Sequence, residues 1–174
     1  GEKSERYLRK IICYCQERGI PITLFVSPID ELQLISTEHY DYYVDQVREI
    51  AGEYGVEFYD FNLIKEEYLD IQHGEYFMDA GHLNNKGADM FTAFFSMVVS
   101  ERVPESEKLF YTSYEEKRRN TPPSVYGLYY RDSEGIRTFH VASNKEEGIE
   151  YRITLTQASE EPGGGYGAAG YTGF

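Results

Sequence analysis

The order of periodicities along the chain predicts an α/β fold: parallel strands with helices on their faces, followed by a small antiparallel β unit. Three observations carry this. Helix-like and strand-like stretches alternate through residues 4 to 102, and the first strand-like stretch is a short apolar run of the kind covered on both sides. After Pro104 the pattern changes to short β-favouring runs separated by turn sequences.

In residues 4 to 18, Leu8, Ile11, Ile12 and Cys15 recur at the i, i+3, i+4, i+7 spacing of one helix face, and Gly19 ends the stretch. Pro21 then opens Ile22-Thr23-Leu24-Phe25-Val26, too short for a helix and rich in β-branched residues, and Ser27-Pro28-Ile29-Asp30 stops it. From Thr37, the residues Tyr40, Tyr43, Val44, Val47, Ile50, Ala51 and Tyr54 outline a second amphipathic helix closed by Gly55. Val56-Glu57-Phe58-Tyr59-Asp60-Phe61 follows as a second strand, and Ala88, Phe91, Phe94, Phe95 and Val98 mark a third helix. Helix, strand, helix, strand, helix is the order of a parallel sheet.

Covered parallel sheets normally hold about four to six strands. Two strands fall short of that, so others must join them, and the chain is expected to begin in the middle of a domain. Beyond Pro104, residues 124 to 130, 136 to 142 and 149 to 156 read as a three-stranded antiparallel meander with Leu109-Phe110-Tyr111 as a candidate extension. The tail from Pro162 is glycine-rich and costly to order unless a neighbour holds it. The expected division is therefore an α/β portion over residues 2–103, an antiparallel β appendage over 104–160 and a Gly-rich tail over 161–174.

Lys+Arg 17 against Asp+Glu 30 leaves a formal net charge of −13, which repels phosphates and anionic lipid surfaces, so no nucleic acid and no membrane contact is expected of this chain. No run approaches the roughly 20 apolar residues that cross a bilayer. Cys13 and Cys15 stand two apart on a helix, about 200° around its axis, and are expected to be free thiols. The 17 tyrosines suit surfaces that are half apolar and half wet, carbohydrate contacts and ordinary packing alike.

Chemistry concentrates in Tyr76-Phe77-Met78-Asp79-Ala80-Gly81-His82-Leu83-Asn84-Asn85-Lys86-Gly87-Ala88. An acid three residues before a histidine, on a glycine-containing loop leading into an amphipathic helix, can set a carboxylate against one ring nitrogen and leave the other free. The plainer reading makes both residues polar loop residues, with Asn84 capping the next helix. His73, Asp70 and Glu75 could join Asp79 and His82 as metal ligands, but the spacing fits no compact metal motif. His39 and His140 read as solvated or structural, and Glu115-Glu116-Lys117-Arg118-Arg119 as a solvated face rather than a binding patch.

Asp79-x-x-His82 followed by Leu-Asn and then Gly-Ala closely resembles the last block of the SGNH (GDSL-type) hydrolase superfamily, over roughly residues 4 to 102. The subgroup it most resembles is the exported O-acyl-transfer branch that includes the D-alanyl-lipoteichoic-acid biosynthesis proteins. The resemblance implies a partial flavodoxin-like three-layer fold, with His82 as general base and Asp79 as the acid that orients it. It implies no metal or organic cofactor, an extracellular or cell-surface setting, and an acylated small molecule or glycan as substrate.

The superfamily's serine, in a Gly-Asp-Ser turn, and its Gly-x-Asn-Asp oxyanion donor have no counterpart here. Ser27 ends a strand but lacks the flanking glycine and aspartate. The expected function is thus the acid-base half of an esterase or O-acyltransferase whose parent protein holds the serine, this chain alone being inactive. Its expected partner is the upstream half of the same domain or a second copy of the chain. The rival expectation is a non-catalytic glycan- or protein-binding module on a degenerate scaffold.

Overall fold

A computed structural model describes residues 1–100 and 106–145, with positions 147, 150 and 152. The chain is mixed α/β, with a small parallel sheet and helices in one compact unit, Gly1–Thr121, and a small antiparallel sheet in the other, Pro122–Phe174. Helix α1 (Glu2–Gln16) leads into strand β1 (Thr23–Val26), the short α2 (Glu31–Ile35), α3 (Tyr40–Tyr54) and strand β2 (Glu57–Asp60). Strands β1 and β2 pair in parallel from Thr23 opposite Glu57 to Val26 opposite Asp60, as the alternation of helix and strand predicts.

Two apolar clusters build the first unit. One gathers Phe61, Ile64, Leu69, Ile71, Phe91, Val98 and Leu109, and is centred on Phe61, whose ring meets Phe91 edge-on at 5.0 Å between centroids. Phe25 of β1 reaches the same layer, 4.6 Å from Phe95. The other gathers Leu34, Tyr40, Val44, Leu63 and Tyr114 around α2 and α3. Such burial is worth about 1.5–3 kcal/mol per large apolar side chain, and Phe61 and Leu63 direct it to different clusters within one short 3₁₀ turn, Phe61–Leu63.

The stripe expected on α1 is half realised. Ile12 is fully buried and Leu8 and Cys15 are half-buried, whereas Ile11 is 54% exposed. Ile11 lies about 100° around the helix from Ile12. The contacts of α1 with α3 run along its other side, where Arg9 pairs with Glu53 and Gln16 Nε2 donates to the Tyr54 carbonyl at 2.8 Å. Cys13 and Cys15 are free.

Residues 106–121, expected within the β appendage, pack into the first unit instead. Phe110 bridges Ile64 antiparallel, Tyr111 N–H donates to the Leu63 carbonyl at 2.8 Å, and Leu109 is buried in the Phe61 cluster. Helix α5 (Tyr114–Asn120) then turns Tyr114 and Lys117 inward, so the run read as a solvated face holds a lysine only 3% exposed. Three residues apart on a helix, these two share a face, and the partner that makes burial tolerable, Glu31 at 3.2 Å, lies 86 residues away in sequence. Removing one member of such a pair costs about 3–5 kcal/mol.

In the second unit, β5 (Val125–Ser133) and β6 (Ile136–Ser143) form an antiparallel hairpin. Its two-residue turn, Glu134-Gly135, has φ of 52° and 78°, the mirror-image turn that matches strand twist. The buried Asn144 closes the open end, accepting from Ser124 N–H at 2.9 Å and donating to the Pro122 carbonyl at 2.7 Å. The expected third strand, 149 to 156, and the Gly-rich tail lie outside the described residues apart from positions 150 and 152.

Candidate functional site

The motif forms a small hairpin that precedes a helix. Strand β3 (Phe77–Asp79) turns through Ala80-Gly81 into β4 (His82–Leu83), and Asp79 pairs with His82 across the turn. Alternation along β3 sends Phe77 inward and leaves Met78 74% exposed. Asn84 then caps α4 (Asn85–Val99), its Oδ1 accepting from Gly87 N–H at 3.0 Å while its Nδ2 donates to the Glu75 carbonyl at 2.8 Å. One asparagine thus starts the helix and ties it to the segment before the hairpin.

Helix α4 approaches that segment through Gly87. A Cβ built there would sit 2.3 Å from the Tyr76 carbonyl oxygen, so no larger residue fits without moving backbone. Lys86, beside it, lies 3.3 Å from Glu75 and 4.5 Å from the centre of the Tyr76 ring. Its ammonium is the largest cause holding the Glu75 carboxyl below the usual range.

Asp79 Oδ1 and Oδ2 lie 2.8 and 3.0 Å from His82 Nδ1. Oδ1 also accepts from Gly81 N–H at 2.9 Å, a local turn bond that aspartate makes readily. The Gly81 amide first, and the His82 ring second, hold the Asp79 carboxyl below the ordinary range. A carboxylate can only accept, so neutral His82 must carry its proton on Nδ1, which leaves Nε2 with a lone pair. The His82 side chain is 74% exposed, and Nε2 has no hydrogen-bond partner among the described residues.

The ring stands on open surface. Neither of the two described hollows, one along α1 beside Tyr54 and one beside β2 against Tyr111, is lined by Asp79 or His82. Next to the hairpin runs the loop after β1, where Asp30 N–H donates to the Ala80 carbonyl at 3.1 Å. Ser27 is exposed at the start of that loop, at the carboxyl end of β1, and no hydrogen bond joins its side chain to His82.

His73 is paired separately, its Nε2 2.6 Å from Asp70 Oδ1, and no three His, Cys, Asp or Glu side chains converge to hold a metal ion among the described residues. His39 stands just before α3 with φ of 57° and makes no side-chain capping bond. His140 lies in β6.

Sequence reasoning missed Asn62, Gln72, Glu31 and Lys117, which meet in the interior beneath the Ser27–Asp30 loop. The one signal in the sequence was an asparagine among apolar residues after a strand, Phe61-Asn62-Leu63-Ile64, which the structure buries wholly. Compared with known proteins, the chain matches no family model, no curated protein and no solved structure.

Proposed function

We propose that Asp79 and His82 are the acid-base pair of an SGNH-type esterase or O-acyltransferase, carried on the C-terminal part of a flavodoxin-like three-layer domain. The observation that supports this reading most is the contact of the Asp79 carboxylate with Nδ1 at 2.8 Å, with Nε2 left unbonded on the surface among the described residues. The parallel β1 and β2 pair beside the hairpin supports the fold.

In the reaction, His82 Nε2 takes the proton of a serine hydroxyl contributed by the upstream half of the domain. The serine oxygen bonds to the acyl carbon, the ester C–O bond breaks, and the imidazolium returns its proton to the leaving oxygen. Water or a sugar hydroxyl then receives the acyl group, with His82 again as base. The substrate class is an acyl ester on a small molecule or cell-surface glycan, and no cofactor enters these steps.

The test is acyl release from an O-acetylated glycan by a protein that joins this chain to its serine-bearing half. His82→Ala should abolish release while circular dichroism shows an unchanged fold. A folded His82→Ala protein with the wild-type rate would end the reading.

The second reading, a glycan-binding module, draws on Tyr42 and Tyr43, which are 61% and 54% exposed and stand edge to face at 5.4 Å. Glycan binding lost in Tyr42→Ala and indifferent to His82→Ala would favour it.

A further inference from the structure

Four buried or nearly buried polar side chains connect α5 to the hairpin that carries His82. Lys117 Nζ donates to the Asn62 carbonyl at 3.0 Å, to Glu31 Oε2 at 3.2 Å and to Gln72 Oε1. Gln72 Nε2 in turn donates to the Ile29 carbonyl and to Asn62 Oδ1, both at 3.3 Å. Asn62 Oδ1 accepts from Ile29 N–H at 2.8 Å, and its Nδ2 donates to the Ser27 carbonyl at 3.2 Å.

Two side chains therefore satisfy three backbone groups of the Ser27–Asp30 loop. The next amide along, Asp30 N–H, leaves the interior and donates to the Ala80 carbonyl, at the tip of the turn between Asp79 and His82. The tip of the hairpin is thus held by this loop, while Asn84 Nδ2 ties its base, donating to the Glu75 and Phe77 carbonyls. The Lys117 side chain is 3% exposed and that of Glu31 5%, and every buried side-chain nitrogen and oxygen among the described residues has a partner. An apolar cluster could fill the same volume at no loss of stability. What an ionic network adds is a single geometry, because a half-made one is costly.

We propose that Asn62, Gln72 and Lys117 are positioning residues for His82. Acting through the Ser27–Asp30 loop, they fix the 79–82 turn so that the ring keeps its proton on Nδ1 and offers Nε2 outward. This rests on His82 being the base, but its physical content, the state of the ring, is measurable without any substrate.

The experiment is ¹⁵N NMR of the His82 ring in the 174-residue chain, at a pH where the imidazole is neutral, with hydrogen exchange of the Asp30 amide alongside. The variants are Gln72→Met, which keeps the volume, and the double variant Glu31→Gln with Lys117→Met, which leaves no unpaired charge. Val98→Ala is the control, since it opens the core at the far end of α4 and removes no hydrogen bond of the network.

In wild type the Nδ1–H tautomer should dominate. In both network variants the population should move toward the Nε2–H form that an unconstrained histidine side chain prefers, and Asp30 exchange should quicken by about five- to tenfold, as expected when one hydrogen bond's net contribution is lost. Val98→Ala should change neither. Should the double variant not fold, Gln72→Met alone decides. A folded Gln72→Met chain with wild-type tautomer and exchange, or a Val98→Ala chain that shifts both equally, would overturn the proposal. A protein joining this chain to its serine-bearing half that stays inactive toward esters, with the tautomer shift intact, would instead count against the esterase reading alone.

Discussion

Asp79 Oδ1 receives two donors at nearly equal distance, His82 Nδ1 at 2.8 Å and Gly81 N–H at 2.9 Å. The backbone therefore holds the carboxylate in place whether or not the ring is charged, and the ring alone depends on the carboxylate. In the joined protein, Asp79→Asn should leave the fold intact and lower acyl release by about 10⁴-fold at most, the size of effect seen when a triad acid is lost. Acyl-release assays on folded wild-type and variant proteins give the number, and an unchanged rate would show that the acid plays no part.

The same two donors set a pH expectation. Asp79 titrates below its ordinary value, so its contribution to stability is fully present above the unfolded value of about 3.9 and is lost as pH falls through the lower folded value. A ¹³C titration of the Asp79 carboxyl should place its midpoint below that of a free aspartate. A midpoint at or above it would mean that the turn bond does not persist in solution.

Tyr40 and Asp60 offer a test of the interior. The Tyr40 hydroxyl lies 2.7 and 2.9 Å from the two Asp60 oxygens and accepts from Asn62 Nδ2 at 3.0 Å. Burial raises the Asp60 carboxyl, and the Tyr40 bond opposes that rise. Tyr40→Phe should destabilise the chain by about 1–3 kcal/mol. It should also raise Asp60 further. A carboxyl raised on folding stabilises less as pH climbs from the unfolded toward the folded value, so the deficit should be larger at neutral pH than in mild acid. Urea melts at the two pH values check both, and equal midpoints for variant and wild type would remove the bond from the account.

Gly87→Ala sets helix propensity against packing. Alanine is the better helix former by about 1 kcal/mol, but its Cβ would meet the Tyr76 carbonyl at 2.3 Å and Leu83 Cδ2 at 3.0 Å. Overpacking of this kind costs about 1–3 kcal/mol, so the net effect should be a loss of stability on thermal denaturation. A stabilised variant would mean that α4 stands farther from the hairpin.

The chain by itself should hydrolyse p-nitrophenyl acetate no faster than background, because it contributes a base without a serine bonded to it. Turnover that vanishes in Ser27→Ala would make Ser27 the nucleophile and the chain self-sufficient.

Much of the site was legible because its parts are close in sequence. Asp79 and His82 are three residues apart and Asn84 caps three residues ahead, distances that a turn and a helix start impose with little help from elsewhere. Lys117 was misread for the opposite reason. Its local setting, Glu115 to Arg119, has the charge pattern of a solvated helix, and only Glu31, Gln72 and Asn62, each brought from a different part of the chain, make its burial tolerable.

By its periods and turn residues alone, the sequence determined the order α1, β1, α3, β2, α4 (though not α2 or α5), the parallel pairing of β1 with β2, the β5–β6 hairpin and the acid-histidine turn, since each depends on φ, ψ and burial preferences within a few residues. The tertiary structure alone decided that residues 106–121 join the first unit, that Ile11 faces outward while Ile12 is buried, and that Asn62 and Gln72 bind the backbone of the Ser27–Asp30 loop. These follow from which surfaces meet across tens of residues, where burial and hydrogen-bond satisfaction are settled by the neighbour rather than by the residue itself.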